Sequence, residues 1–211
     1  MKKTLIIGAS GQIGKMTTKQ LLADGKTVIA LVRDKSKLAD ISCDKLHIVE
    51  GDLENDFSQA FADCDQVIFS AGSGGKTGDD KTMLIDLWAA CKAVDYAKLA
   101  NVSHFVMVSS IGADDPSQGT EIMKPYMVAK HMADEHLIGS GLNYTIFRPG
   151  LLTDNNATGK VKTIRPSNKE DMTINREDVA SVLTYTVGKS ELGGKIFELF
   201  NGEKTLADIL N

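Results

Sequence analysis

The sequence predicts a single α/β domain in which helices cover both faces of a doubly wound parallel sheet, a three-layer α/β/α arrangement. Three observations support this prediction. Short apolar runs alternate with longer segments of helical spacing, as in a parallel sheet connected by crossover helices. The chain has 211 residues, of which 42% are hydrophobic, so it can bury one sizeable core. No repeat, low-complexity tract or proline-rich linker divides it.

The predicted elements follow one another in order. The predicted strands are the runs TLIIG, TVIALV, LHIV, QVIFS, FVMVSS, YTIFRP and KIFELF. The predicted helices begin near Gly11, Lys35, Phe57, Asp79, Met123 and Arg176, and a short terminal helix follows. Crossovers of this length fit right-handed β-α-β units. The longer irregular stretches are 73–80, 113–119 and 153–169, and loops of this length are often functional.

Composition argues against several classes of partner. Charged residues make up 25% of the chain and the net charge is −4, so neither a nucleic acid nor a membrane surface is an expected partner. Cys43, Cys64 and Cys91 are scattered along the chain, which predicts reduced, mostly buried thiols. The histidines are not spaced as metal ligands, so no metal is predicted. With no signal-peptide or membrane-spanning run, we expect a cytoplasmic protein with a small-molecule partner. Trp88 and most methionines lie in apolar helical patterns and are expected in the core.

The first apolar run leads directly into Gly8, Gly11 and Gly14, spaced three apart in the segment LIIGASGQIG. A strand that ends in glycines and continues into a helix presents free backbone N–H groups at a positive helix end, which binds phosphate. Gly8 would make the tight turn, Gly11 would let a pyrophosphate approach the backbone, and Gly14 would let the helix pack closely. This pattern predicts a Rossmann-type dinucleotide site. Its predicted contacts are Gly8, Ser10, Gly11, Gln12, Ile13 and Gly14.

The end of the second strand indicates which dinucleotide binds. An acidic residue about 20 positions past the glycines would accept the ribose 2′-hydroxyl of NAD. Arg33 occupies that region instead, and a guanidinium can fork onto a 2′-phosphate, so NADP (NADPH) is favoured, although Asp34 leaves NAD open. After the third strand, Asp52 could accept the adenine amino group while the Leu53 amide holds the ring, or Asp52 could simply cap a turn.

These motifs together resemble the atypical short-chain dehydrogenase/reductases (SDR), in the compact NAD(P)-binding group that is epimerase-like or NmrA-like. The resemblance covers nearly the whole chain and rests on the glycine turn, Arg33, and the segments GDLEND, FSAG, VSS, PYMVAK and TIFRPG. In that family, the dinucleotide runs across the carboxyl end of the strand VIFSAG, which would place residues 71–73 beside its adenosine side and pyrophosphate, and the RPG turn contacts the nicotinamide amide. The further cofactor contacts implied are Ala71, Gly72, Ser73, Ser109, Lys130, Pro149 and Leu151.

The same resemblance implies catalytic residues. Tyr126 and Lys130 are four apart and therefore share a helix face. In the family, the tyrosine exchanges a proton with the substrate, the lysine holds the nicotinamide ribose and favours the phenolate, and a serine, here Ser110, orients the carbonyl. Asp86 stands where many SDR enzymes have the asparagine of a proton relay, so it could repel the phenolate or relay protons itself. Alternatively, the two residues have no catalytic role: Tyr126 packs with its hydroxyl at the rim of the site, and Lys130 is a solvated helix residue.

The resemblance implies an NADP-binding oxidoreductase that transfers hydride to a small carbonyl, quinone or similar substrate. We expect one domain over residues 1–211, in which about 151–211 form a small substrate-side region, since too little chain follows Gly150 for a separate substrate domain. One alternative is a non-catalytic NADP(H) redox sensor, which would have a protein partner. Another is an NAD(P)-dependent enzyme of the sugar epimerase or dehydratase type. The Tyr126 and Lys130 pair favours an enzyme.

Overall fold

The computed structural model describes residues 2–75 and 77–210. Within them, nine strands form one sheet in the order β11-β8-β10-β6-β5-β4-β1-β2-β3. All neighbouring strands from β10 to β3 run parallel, whereas β8 is antiparallel to both β10 and β11. The strands of this sheet are β1 Lys3–Ile7, β2 Thr27–Val32, β3 Leu46–Glu50, β4 Gln66–Phe69, β5 His104–Val108, β6 Tyr144–Pro149, β8 Lys160–Lys162, β10 Lys195–Asn201 and β11 Lys204–Thr205. Two further strands, β7 Leu151–Thr153 and β9 Thr173–Asn175, pair with each other in parallel.

Helices cover both faces of the sheet, which confirms the predicted doubly wound three-layer fold. On one face, Ile6 and Ile68 pack in a core cluster with Leu21 of α1 (Gln12–Ala23) and Val182 of α5 (Arg176–Thr186). On the other face, Leu5 and its strand neighbours pack against α3 (Ala90–Leu99) and α4 (Lys124–Gly139). Adjacent residues of β1 thus enter opposite cores, because side chains alternate along a strand. The helices are α1 Gln12–Ala23, α2 Asp79–Lys81, α3 Ala90–Leu99, α4 Lys124–Gly139, α5 Arg176–Thr186 and α6 Leu206–Ile209.

A π-helical segment, Thr82–Ala89, joins α2 and α3 into one continuous helix and is called the π segment below. Its wider turns change which side chains face the sheet. Asp86 is turned inwards, whereas Trp88 is 56% exposed, so the prediction that Trp88 lies in the core is wrong. The same holds for Met83 and Met132, which are also exposed. None of the helices that the structure describes is both long and apolar enough to cross a membrane.

Two of the predicted helices are only single 3-10 turns, Lys35–Leu38 and Ser58–Phe61. The first buries only Leu38, and the polar residues after it offer no apolar face for a longer helix. The predicted loop 153–169 also differs, since it contains β8, whose central Val161 is buried. The carboxyl ends of β1, β2, β4, β5 and β6 lie along one edge of the sheet, where ligands of such folds bind.

Candidate functional site

The turn after β1 has the geometry that requires its glycines. Gly8 has φ +88°, and a Cβ there would lie 2.7 Å from the backbone nitrogen of Ala71. A Cβ on Gly14 would lie 2.3 Å from the carbonyl oxygen of Gly8, so the close packing of α1 on the turn depends on glycine. Gly11 is the N-cap of α1 and has no side chain to satisfy the N–H groups of the first turn. These groups remain available to an anionic ligand, so the residues present fit a dinucleotide pyrophosphate.

A cleft of about 460 Å³ opens along the carboxyl ends of β1, β2 and β4. The cleft brings together many of the predicted cofactor contacts. Those that line it are Gly8, Ser10, Gly11, Arg33, Leu53, Ala71, Gly72 and Ser73. The remaining predicted contacts lie outside this lining, and they are Gln12, Ile13, Gly14, Asp52, Ser109, Lys130, Pro149 and Leu151. Of these, Gly14 acts through packing of the turn. Ser109 follows β5 and Pro149 ends β6, whereas Lys130 lies on α4 and Leu151 begins β7.

One end of the cleft is basic. Arg33 and Lys37 both line it, and Arg33 is exposed. The carboxylate of Asp34 is occupied elsewhere, because its Oδ1 accepts the Ser36 N–H at 2.9 Å and caps the 3-10 turn. Hydrogen bonds from the side chain and the backbone of Ser36 lower the pKa of Asp34. Lys37 was not predicted from the sequence, although its spacing of four from Arg33 in RDKSK was an available signal.

The loop after β3 forms another wall of the cleft. Leu53 lines the cleft, and the carbonyl oxygens of Leu53 and Asn55 accept hydrogen bonds from the Lys92 ammonium at 2.9 and 2.6 Å. Asp52 caps the turn, since its Oδ1 accepts the Glu54 N–H at 3.0 Å. The turn-capping alternative for Asp52 is therefore what the structure contains. Its contact with adenine stays a prediction.

At the β5 end of the sheet edge, Lys130 and Asp86 form a buried pair. Lys130 is 2% exposed and Asp86 is 1% exposed. The Lys130 ammonium donates to the Val108 carbonyl at 2.8 Å and lies 4.0 Å from Oδ1 of Asp86. The other carboxylate oxygen, Oδ2, accepts the Ser73 N–H at 3.0 Å. Asp86 thus links the lysine to a residue that lines the cofactor cleft.

Tyr126 and the two serines occupy different environments. Tyr126 lies in the first turn of α4 and is half-buried, one helical turn before Lys130. Ser110 is also half-buried, and its hydroxyl donates to the Ile111 carbonyl at 3.1 Å. The Ser109 hydroxyl is buried and donates to Asp134 at 2.9 Å. The Ser109 side chain is therefore directed into the protein, which leaves its backbone as the part that can meet a cofactor.

A buried charged group lies behind these residues. Arg148 donates from Nε to Oδ2 of Asp134 at 3.0 Å, and its Nη2 lies 3.0 Å from the same oxygen in an ion pair. Burial raises the pKa of Asp134, although the charges of Arg148 and Lys130 oppose that effect. Arg148 precedes Pro149, the predicted nicotinamide contact, while Leu151 after it is 71% exposed. Asp134 was not predicted from the sequence, because its partners lie on other elements of the fold.

The comparisons with known proteins agree with this geometry. The family model described as NAD(P)H-binding matches residues 8–189. The Bacillus subtilis protein named as the uncharacterized sugar epimerase YhfK is 38% identical, over 99% of this chain and 98% of its own. A solved structure from Bacillus halodurans, named provisionally as an NAD-dependent epimerase/dehydratase, has a TM-score of 0.93 at 40% identity and covers 100% of this chain and 99% of its own. The oxidoreductase ylbE from Lactococcus lactis has a TM-score of 0.84 at 28% identity, over 99% and 94% of the two chains.

The family model spans the glycine turn, the cleft and the Tyr126 to Lys130 segment, so the match includes the site and not merely the sheet. The glycine turn fits the pyrophosphate of a nicotinamide dinucleotide for the steric reasons given above. This chain belongs to the NAD(P)H-binding family, in the atypical short-chain dehydrogenase/reductase group of oxidoreductase-like and epimerase-like proteins.

Proposed function

We propose that this protein is an NADPH-dependent reductase of a small carbonyl or quinone. The observation that carries the proposal is the buried Lys130, one helical turn from the half-buried Tyr126, at the sheet edge that also holds the glycine turn. A phenol beside an ammonium is a suitable proton donor, because the cation favours the phenolate that remains.

The proposed step divides the work among a few side chains. The dinucleotide, when bound, supplies the hydride. Ser110 orients the substrate oxygen by a hydrogen bond, and the Tyr126 hydroxyl gives its proton to that oxygen as the carbonyl carbon receives the hydride. Solvent then reprotonates Tyr126. Lys130 holds the charge that favours the tyrosinate, and Asp86 holds Lys130 in place through their buried pairing.

The proposed preference for NADP rests on the basic end of the cleft. Arg33 and Lys37 line the cleft at the end of β2, where a 2′-phosphate would lie. Asp34, the carboxylate that could favour NAD there, accepts a hydrogen bond from its own turn instead. The cofactor contacts proposed in the glycine turn and in residues 71–73 act through the backbone and through small side chains.

The proposed substrate side is the region of about residues 151–211, of which the structure describes 151–210. This region adds β7 and β9 beside the RPG turn and β8 beside β10, and it forms no separate layer. We assign it to the same domain as the cleft. A pocket built from such loops suits a small substrate better than a nucleotide-sugar enclosed by a domain of its own.

Two observations favour other functions. The Lys130 ammonium donates to a backbone carbonyl and is buried against Asp86, an arrangement that also suits a protein that binds NADP(H) without turnover and reports its redox state to a partner. The names of the Bacillus subtilis and Bacillus halodurans relatives refer to epimerases, which favours an NAD(P)-dependent sugar epimerase or dehydratase as the third candidate.

Tyr126→Phe tests the reductase proposal. Tyr144→Phe is the matched control, because Tyr144 begins β6 and therefore lies at the end of that strand away from the RPG turn. NADPH consumption is followed with a panel of ketones, aldehydes and quinones, and NADPH binding is measured by fluorescence. We expect Tyr126→Phe to lower kcat by about 10²- to 10⁴-fold with little change in NADPH binding, while the control keeps its activity. NADPH binding without turnover of any compound by the native protein would favour the sensor. Interconversion of nucleotide-sugars without net NADPH loss would favour the epimerase.

A further inference from the structure

We propose that Asp134 is a positioning residue for the reactive end of this site, and that its buried carboxylate holds Lys130 and the end of β5 in register. The inference rests on the proposed reductase function for its consequence in catalysis. Its structural part, that Lys130 and the end of β5 are held in place, can be tested separately.

Asp134 joins three elements through one oxygen atom. It lies on α4, one turn after Lys130, and is 0% exposed. Its Oδ2 accepts hydrogen bonds from the Ser109 hydroxyl at 2.9 Å and from Nε of Arg148 at 3.0 Å, and Nη2 of Arg148 lies 3.0 Å from the same oxygen in an ion pair. Ser109 follows β5 directly, and Arg148 belongs to β6. A single side chain therefore ties α4 to the carboxyl ends of two neighbouring strands.

These strand ends carry the groups assigned to the reaction. The Val108 carbonyl, which accepts the Lys130 ammonium at 2.8 Å, immediately precedes Ser109, and Ser110 immediately follows it. On β6, Arg148 precedes Pro149, whose carbonyl accepts the Ile111 N–H at 3.0 Å. Loss of the Asp134 contacts would therefore leave the strand ends on both sides of the proposed serine, next to the carbonyl that holds the lysine, restrained by backbone hydrogen bonds alone.

Stability alone does not account for this arrangement. A buried ion pair is often replaceable by apolar side chains without loss of stability, because desolvation offsets much of the attraction. Here Oδ1 of Asp134 is buried and has no hydrogen-bond partner among the residues that the structure describes. Burial also raises the pKa of this carboxyl. An incompletely satisfied charge in the core is a costly element of a scaffold, whereas a carboxylate that ties α4 to Ser109 fixes the strand end whose Val108 carbonyl holds the Lys130 ammonium.

The test replaces the ion pair of Asp134 and Arg148 by apolar side chains, in the double variant Asp134→Leu/Arg148→Met. Lysine acetylation by acetic anhydride is followed by peptide mass spectrometry, with Lys92 as the internal control because it is held by the loop after β3. We expect the melting temperature to stay near that of the native protein, while Lys130 is acetylated about tenfold faster relative to Lys92, because the local restraint is gone. NADPH affinity should stay within about twofold, while kcat falls about tenfold or more from the displacement of Ser110 and Lys130.

An unchanged acetylation rate of Lys130 in a folded double variant would overturn the inference, whether or not the protein turns over NADPH. Faster acetylation of Lys130 in a protein whose native form shows no turnover would support the positioning role and sink the reductase proposal. If the double variant does not fold, Ser109→Ala carries the same measurement, since it removes one donor and leaves the ion pair intact. We expect Lys130 to be acetylated about threefold faster in that variant, and an unchanged rate would again overturn the inference.

Discussion

The Lys130 ammonium lies 4.0 Å from Oδ1 of Asp86, and both side chains are removed from solvent. The pair joins α4 to the π segment near the carboxyl end of β5. Because Oδ2 of Asp86 also accepts the Ser73 N–H, the same carboxylate contacts a wall of the cofactor cleft. A change at either residue should therefore affect stability and the cofactor site together.

The first prediction concerns the energy of this pair. Lys130→Met leaves the Asp86 carboxylate buried without its cation, and we expect the free energy of unfolding to fall by about 3–5 kcal/mol. Asp86→Asn in the Lys130→Met background should recover part of that loss, with a coupling of about 1–3 kcal/mol in a double-mutant cycle measured by urea unfolding. Strictly additive effects of the two changes would show that the pair does not interact. Lys35→Met is the control, since its pair with Glu50 is exposed and should contribute about 0.5 kcal/mol or less.

Cofactor preference should depend on the basic end of the cleft. We expect Arg33→Ala to weaken NADPH binding by about 10- to 100-fold, and Lys37→Ala by a smaller factor, while NADH binding stays nearly constant, because each change removes a charged hydrogen bond to the 2′-phosphate. Titration with NADPH and NADH by fluorescence measures both. Lys35→Ala is the matched control, because Lys35 belongs to the same turn but pairs with Glu50. Equal loss of NADPH and NADH affinity in Arg33→Ala would contradict the assignment.

The glycine turn should not tolerate a side chain at Gly14, for steric reasons. In Gly14→Ala, the new Cβ would lie 2.3 Å from the Gly8 carbonyl oxygen, which neither the strand nor the helix can move without repacking. We expect a loss of about 1–3 kcal/mol of stability and weaker binding of either dinucleotide. In Gly139→Ala, at the end of α4, the Cβ has no neighbour within 4 Å, and stability should be unchanged or rise by about 0.5 kcal/mol. Thermal unfolding of the two variants decides the point, and equal melting temperatures would refute it.

The thiols should differ in reactivity. Burial raises the pKa of Cys64 to about 12 and that of Cys91 to about 11, whereas Cys43 is exposed. Because only the thiolate reacts, and thiolate forms as the pH rises towards the pKa, Cys64 and Cys91 should resist alkylation at about pH 8. We expect iodoacetamide to label one thiol in the native protein and all three in denaturant, with the native label absent in Cys43→Ser. Fast labelling of Cys91 in the native protein would indicate opening of α3 and would count against the packing described above.

Much of the fold and part of the site could be predicted because they depend on local patterns. The alternation of apolar runs with helical segments determines a parallel sheet covered on both faces, since buried strands must be apolar on both sides. The glycine turn is equally local, because Gly8 and Gly14 contact each other within one β-α unit. Arg33 lies at a strand end that sequence spacing alone defines.

The π segment is where local reasoning fails. A regular helical period assigned Trp88 to the core, but the wider turns of Thr82–Ala89 expose it while Asp86 faces inwards. The two 3-10 turns show a related limit. The turn between β2 and β3 buries only Leu38, whereas the chain between β3 and β4 places Phe57, Ala60 and Phe61 in the core from a single turn and its flanking loop.

The sequence by itself determined the class of fold, the dinucleotide turn and the candidate Tyr126 and Lys130 pair. Only the tertiary structure decided what surrounds that pair. The partners of Lys130 come from the π segment and β5, and those of Asp134 come from β5 and β6. The physical reason is that a buried charge must find its counter-charge and hydrogen bonds in three dimensions, and the chain brings those groups together only when separate strands and helices meet at one edge of the sheet.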